Sequence, residues 1–301
     1  MKKNIIAIEF SFLVLWSSGF IGAKYGLPHA GTFTLLFFRY LILSVVLFAW
    51  LGARRQLHFG GVAQIRRAAV MGLLAHCVWL VAVLKAIDLG VAPGIAALVA
   101  ALQPMVTGVV VGPLLDEKVN RWQWAGLSVG FLGVVFVVAD RIGGSGATAP
   151  WWAYLLPFVS TLSLTAATVY QRSLEIKSPK GFLPVMNNLA VQCAATAIVL
   201  LPFALSLENM QADWNADFLF ALVWLIFVVS LGAYALLILL IKKCQATRVA
   251  SLLYLTPPVT MVMDYLAFGN AVTRNGMIGL AIAAVGVFLV HRGESKRSGD
   301  G

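Results

Sequence analysis

Uninterrupted apolar runs, each about the length needed to cross a bilayer, follow one another along almost the whole chain, and no other feature restricts the fold so tightly. They lie at about 5–24, 32–51, 67–87, 91–114, 121–139, 151–171, 181–205, 217–241, 246–268 and 273–291. A hydrocarbon core about 30 Å thick takes roughly 20 apolar residues per helix. Backbone groups in lipid must be satisfied within the segment, so each run predicts a helix, and none shows the two-residue alternation of a membrane barrel strand. Composition excludes the water-soluble alternative. The 301 residues are 60% hydrophobic and only 11% charged, against about 25% charged in soluble domains. The opening MKKNIIAIEFSFLVLWSSG has a charged start and an apolar run but no small-residue cleavage site, and it reads as a retained first helix.

The net charge of +10 does not mark a nucleic-acid binder, because its basic residues are scattered between apolar spans. They follow the positive-inside rule instead. With the N-terminus in the cytoplasm, 17 of the 22 Lys and Arg fall on the cytoplasmic side. Four (Lys24, Lys85, Arg141, Arg274) fall outside, and Arg39 lies within a helix. Ten spans then return the C-terminus to the cytoplasm. Three cysteines (Cys77, Cys193, Cys244) and four dispersed histidines suggest neither a disulfide framework nor a metal site, and no cofactor is implied.

The one Gly/Ser-rich stretch, DRIGGSGATAP (140–150), separates five spans from five more. IAALVAALQP (95–104) matches VASLLYLTPP (249–258), and AGLSVGFLGVVFV (125–137) matches IGLAIAAVGVFLV (278–290) in the same order within each half. The organisation expected is a repeat at 5–140, a second at 150–292, and a disordered cytoplasmic tail at 293–301. Copies with an odd number of helices enter the membrane from opposite sides, so the repeats are inverted, an arrangement suited to alternating access.

Ionisable residues inside a membrane cost roughly 2.5–3.5 kcal/mol at mid-helix on insertion scales, and each needs a reason. Glu9 reads as a cation- or proton-binding carboxylate or as one that snorkels to water. Arg39, interrupting FTLLFFRYLILSVVL, reads as a helix-to-helix anchor or as a site for an anionic substrate group. His76, one turn from Trp79, faces either substrate or a buried partner. Asp264 is the fourth such residue. Pro104, and Pro257 with Pro258, fall at equivalent places in the two halves and predict kinks that free carbonyls. Gln103, beside Pro104, adds a polar group. The hydroxyls of the sixth span, Ser160 to Tyr170, line a polar path or glue helices. Gly126, Gly130 and Gly133 suggest close helix packing.

These residues resemble the ten-helix drug/metabolite transporter superfamily, in its EamA branch. The resemblance rests on LWSSGFIGAKYGLP (15–28), FFRYLIL (37–43), LQPMVTGVVVGPLLDEKVNRWQWAGLSVGFLGV (102–134), ATRVASLLYLTPPV (246–259) and IGLAIAAVGVFLV (278–290). It implies an all-α membrane protein with a central cavity, multi-pass in the bacterial inner membrane, exporting amino acids, other metabolites or drugs. The cavity residues it implies here are Trp16, Ser17, His76, Trp79, Gln103, Tyr170, Tyr234 and Tyr254. One departure is visible. Glu117 supplies the acidic residue the family carries after helix 4, whereas the place after helix 9 holds Asn270 and Ala271.

The function expected is a secondary transporter with the bilayer and a small-molecule substrate as partners, acting as a monomer or homodimer. Proton coupling through Glu9, His76 or Asp264 is one candidate drive. An intramembrane enzyme would need Ser17 or Ser18 partnered by His76 as base. A passive channel or scaffold is the remaining alternative. ATP-driven transport lacks a G-x-x-x-x-G-K-[ST] loop.

Overall fold

A computed structural model describes residues 2–103, 105–107, 110, 121–143, 149–177, 181–243, 252–270 and 273–299. Among these the chain forms ten helical segments and no strand. They are α1 (Lys2–Gly26), α2 (Thr32–Ala53), α3 (Val62–Asp88), α4 (Pro93–Ala100), α5 (Arg121–Gly143), α6 (Leu156–Lys177), α7 (Val185–Glu208), α8 (Ala216–Val223, Trp224–Ala233 and Tyr234–Lys243 in continuous succession), α9 (Thr256–Phe268) and α10 (Arg274–Gly299).

Six stretches are long and apolar enough to cross a membrane: Ile5–His29, Thr32–Ala53, Val62–Asp88, Trp151–Glu175, Val185–Glu208 and Ala216–Leu240. The apolar helices Pro93–Thr107 and Trp124–Ala139 are shorter. α9, with 13 residues, reaches only about 20 Å at 1.5 Å per residue. α10 runs from Arg274 to Gly299.

Large apolar side chains point outward: Phe10 is 66% exposed, Ile198 70%, Leu266 76% and Phe288 64%. Water would not tolerate that surface over so much of a protein, and lipid does. The interior holds small and branched side chains, with Leu35, Leu36, Ala96, Ala190 and Leu225 buried in one cluster.

The principal packing pairs are α2 with α7, α5 with α10, α4 with α9, α1 with α8 and α9, α6 with α3 and α4, α3 with α7, and α8 with α2. Moving every label by five maps this set onto itself. Two local irregularities obey the same relation. α3 widens to i→i+5 hydrogen bonding at Leu73–Val78, and α8 does so at Trp224–Ala233. Wide turns of this kind interrupt the regular ladder and concentrate at functional sites.

α5 and α10 meet through glycine. A methyl group added at Gly133 would stand 2.7 Å from the Ala283 backbone nitrogen, and one at Gly286 would stand 2.6 Å from the Gly126 carbonyl oxygen. Without side chains at these points the two backbones approach closely, which is how helices associate where no hydrophobic effect drives them together.

The first turn of α2 is capped from a distance. The backbone N–H groups of Phe33 and Thr34 donate to Glu208 Oε1 and Oε2 at 3.1 and 2.7 Å. Gly31, at the N-cap, has no side chain with which to cap the helix, and a Cβ there would collide with the Glu208 carboxylate. A carboxylate at a helix N-terminus satisfies orphan donors and complements the dipole. Glu208→Ala is expected to lower stability by about 1–3 kcal/mol, with Glu208→Gln between the two. Thermal unfolding of the purified protein in detergent reads this directly.

Candidate functional site

A cavity of about 200 Å³ lies between the helices, walled by residues of α1, α2, α3, α6, α7 and α8. The wide turns of α3 and α8 contribute Ala75 and His76 on one side and Val229 and Ser230 on the other.

α1 and α3 supply an aromatic wall. Trp16 and Trp79 stack with ring centroids 6.2 Å apart and planes inclined by 22°, and Phe12 packs behind Trp16 at 5.6 Å. Trp79 Nε1 is buried and has no hydrogen-bond partner among the described residues. His76 sits one turn below Trp79. Its Nε2 lies 3.0 Å from Gln192 Oε1 on α7, and its ring lies 5.4 Å from Tyr40 on α2. His76 thus has a buried partner and also lines the cavity.

Arg39 enters from α2. Its Nε and Nη2 donate to Ser230 Oγ at 3.1 and 2.9 Å. Ser230 Oγ in turn donates to the Leu225 carbonyl at 2.9 Å, five residues back, within the wide turn of α8. The irregular helix thus fixes the serine, and the serine fixes the guanidinium. Arg39 anchors α2 to α8 and also lines the cavity.

Of the eight residues expected at the cavity, Trp16, His76, Trp79 and Tyr234 line it. The other four lie elsewhere. Ser17 is fully buried, and its hydroxyl has no hydrogen-bond partner among the described residues. Gln103 donates to Thr107 Oγ1 at 2.9 Å and to Thr168 Oγ1 at 3.3 Å, and Thr107 donates to Thr165 Oγ1 at 3.2 Å, so this ladder joins the stretch that follows α4 to α6. Tyr170 is half-buried on α6. Tyr254 packs on the cluster around Tyr154 and Met261.

The expected kinks take another form. Pro257 and Pro258 stand in the first turn of α9, where a missing N–H costs no helical hydrogen bond. The break falls just before them, as a turn at Tyr254–Leu255, and a matching turn interrupts the first half at Ala101–Leu102. Pro104, Glu117, Cys244 and Ala271 lie outside the described residues. Glu9 is buried on α1 but is not among the cavity-lining residues. Asp264, expected as an intramembrane ionisable residue and a candidate for coupling, is paired. Its Oδ1 lies 3.2 Å from Lys24 Nζ and accepts from Asn270 Nδ2 at 2.8 Å. The serine–histidine pair of an intramembrane hydrolase does not form among the described residues. Ser18 Oγ donates to the Leu15 carbonyl and accepts from Trp224 Nε1.

Sequence reasoning missed Tyr40, Gln192, Cys193 and Ser230. Each is a single small or polar residue in an apolar helix, with no spacing that marks it.

The cavity takes its walls from helices before and after the Gly/Ser-rich stretch. The sequence pattern of the EamA-like transporter family matches residues 4–139 and again residues 151–292. The chain belongs to this family. It is a multi-pass inner-membrane transporter. Among its relatives, the inner membrane transporter YedA of Escherichia coli, itself of uncharacterised function, is 23% identical over 95% of this chain and 90% of its own length. A probable amino-acid metabolite efflux pump of Salmonella typhimurium is 23% identical over 92% of this chain and 91% of its own. An uncharacterised transporter of Archaeoglobus fulgidus is 25% identical over 92% and 93%. A solved crystal structure superposes with a TM-score of 0.63 at 22% identity, over 95% of this chain and 96% of its own, and shares the fold.

Proposed function

We propose that this EamA-family chain is a secondary transporter that exports a small metabolite, such as an amino acid, by alternating access of the cavity between α1, α3 and α8. In this reading the ten helical segments are ten crossings, both termini are cytoplasmic, and 5–140 and 150–292 are inverted five-helix repeats. The observation that carries the reading is the make-up of the cavity. It takes walls from both halves, a tryptophan pair from one side and the Arg39–Ser230 bond from the other. Packing contacts and wide turns that recur every five helices support the repeat. The efflux pump named among the relatives agrees with the substrate class.

Its size favours a small cargo over a drug-like one. Pockets for drug-sized ligands run to roughly 300–1,000 Å³, and this cavity is about 200 Å³. Amino acids presented to the purified protein are expected to raise its unfolding temperature. A ligand at a hundred times its dissociation constant stabilises by about 2.7 kcal/mol. A complete amino-acid panel that leaves the unfolding temperature unchanged would contradict the substrate class.

A further inference from the structure

Arg39 is a buried cation at a cavity wall, and no carboxylate among the described residues balances its charge. It is 6% exposed. Its hydrogen bonds among the described residues go to one neutral hydroxyl, Ser230 Oγ, its guanidinium carbon lies 5.7 Å from the centre of the Tyr40 ring, and no carboxylate there forms an ion pair with it. Among the described residues the lining of the cavity contains no Asp or Glu. A guanidinium carries five N–H donors and is always charged. Two of them are spent on Ser230, from Nε and Nη2, and three remain. A buried charge without a partner costs several kcal/mol, and the cost is met when the missing anion arrives.

We infer that Arg39 is the residue that binds the anionic group of the cargo, and that the cargo is an apolar or aromatic compound bearing one carboxylate. The inference rests on the transport reading above and narrows its substrate class. Charge sets the count. One guanidinium pairs with one carboxylate in a two-oxygen fork. Shape sets the remainder. The Trp16–Trp79 stack offers a flat apolar surface in a cavity too small for more than a ring or a branched chain. Ser230 is a positioning residue. It occupies the Nε side of the fork and leaves Nη1, with the second N–H of Nη2, to meet a carboxylate two oxygens wide.

The test compares probes that differ at one group: 3-phenylpropionate, L-phenylalanine and L-phenylalaninamide. Each is added to the purified full-length protein, and affinity is read from the concentration dependence of the unfolding temperature. Both carboxylates are expected to bind roughly 10- to 100-fold more tightly than the amide, the range that a charge-assisted hydrogen bond supplies. Ser230→Ala is expected to weaken the carboxylates while leaving the amide unchanged, and Arg39→Lys is expected to restore only part of what Arg39→Gln loses. Should Arg39→Gln fail to fold, the wild-type series and Ser230→Ala still decide. Equal affinity for acid and amide would overturn the role of Arg39 and leave the transport reading standing. A response to none of the probes, with other amino acids stabilising the protein, would overturn the aromatic carboxylate class alone.

Discussion

Gly286→Leu is expected to leave almost no folded protein to purify. α5 and α10 touch backbone to backbone, and a Cβ at position 286 would press into the Gly130 backbone and stand 2.6 Å from the Gly126 carbonyl. Neither obstacle is the end of a flexible side chain, so the helices must separate. Overpacking a well-fitted interface typically costs about 1–3 kcal/mol, and a leucine against backbone on both sides belongs at or above that range. Gly133→Leu should behave alike, since its Cβ would meet the Ala283 nitrogen and the Gly279 carbonyl. Gly61→Ala, with open space around it, is the silent control. Size-exclusion profiles of the detergent-extracted variants distinguish loss of fold from loss of expression.

Asp264→Ala should destabilise the protein strongly, and removing Lys24 as well should recover part of the loss. Asp264 is 3% exposed and holds Lys24 and Asn270 on one oxygen, which ties the end of α1 to α9 across 240 residues of sequence. The ammonium also lies 4.2 Å from the centre of the Phe268 ring. Deleting one partner of a buried pair costs about 3–5 kcal/mol because the other charge stays behind. Lys24 is 27% exposed, so water reduces the figure to about 1–3 kcal/mol. Lys24→Met with Asp264→Leu removes both charges, and a double-mutant cycle isolates the pair from the separate loss of Asn270's acceptor. If Asp264 acted only as a free coupling carboxylate, the cycle would give no interaction energy.

These two sites mark what could be read from sequence. The glycines of the fifth span announced close packing, because a small-residue pattern in a membrane helix has few other uses. Trp16, Trp79 and Tyr234 could be picked out through the family resemblance, which implies the cavity helices, and His76 also as an ionisable residue in an apolar helix. The pairing of Lys24 with Asp264 was invisible. The lysine falls among the outside charges and the aspartate among the intramembrane ionisable residues, and no local pattern joins residues so far apart. The wide turns of α3 and α8 were equally hidden. A shift from 3.6 to more residues per turn leaves no trace in helices that are apolar on every face. Ser230 draws its importance from that turn and from Arg39, 191 positions away. Prolines 257 and 258 were read as mid-helix kinks because the apolar run continues through them. The helix begins at Thr256, and the break precedes it.

Counterflow in proteoliposomes tests the central claim, that the cavity carries a small carboxylate across the membrane. Vesicles containing the protein would be loaded with unlabelled phenylalanine and diluted into labelled phenylalanine. Label is expected to accumulate transiently, to saturate, to be competed by 3-phenylpropionate but not by phenylalaninamide, and not to accumulate in Ala75→Phe, whose ring fills the cavity from the wide turn of α3. A linear leak indifferent to all of these, or full counterflow with the cavity filled, would contradict that claim.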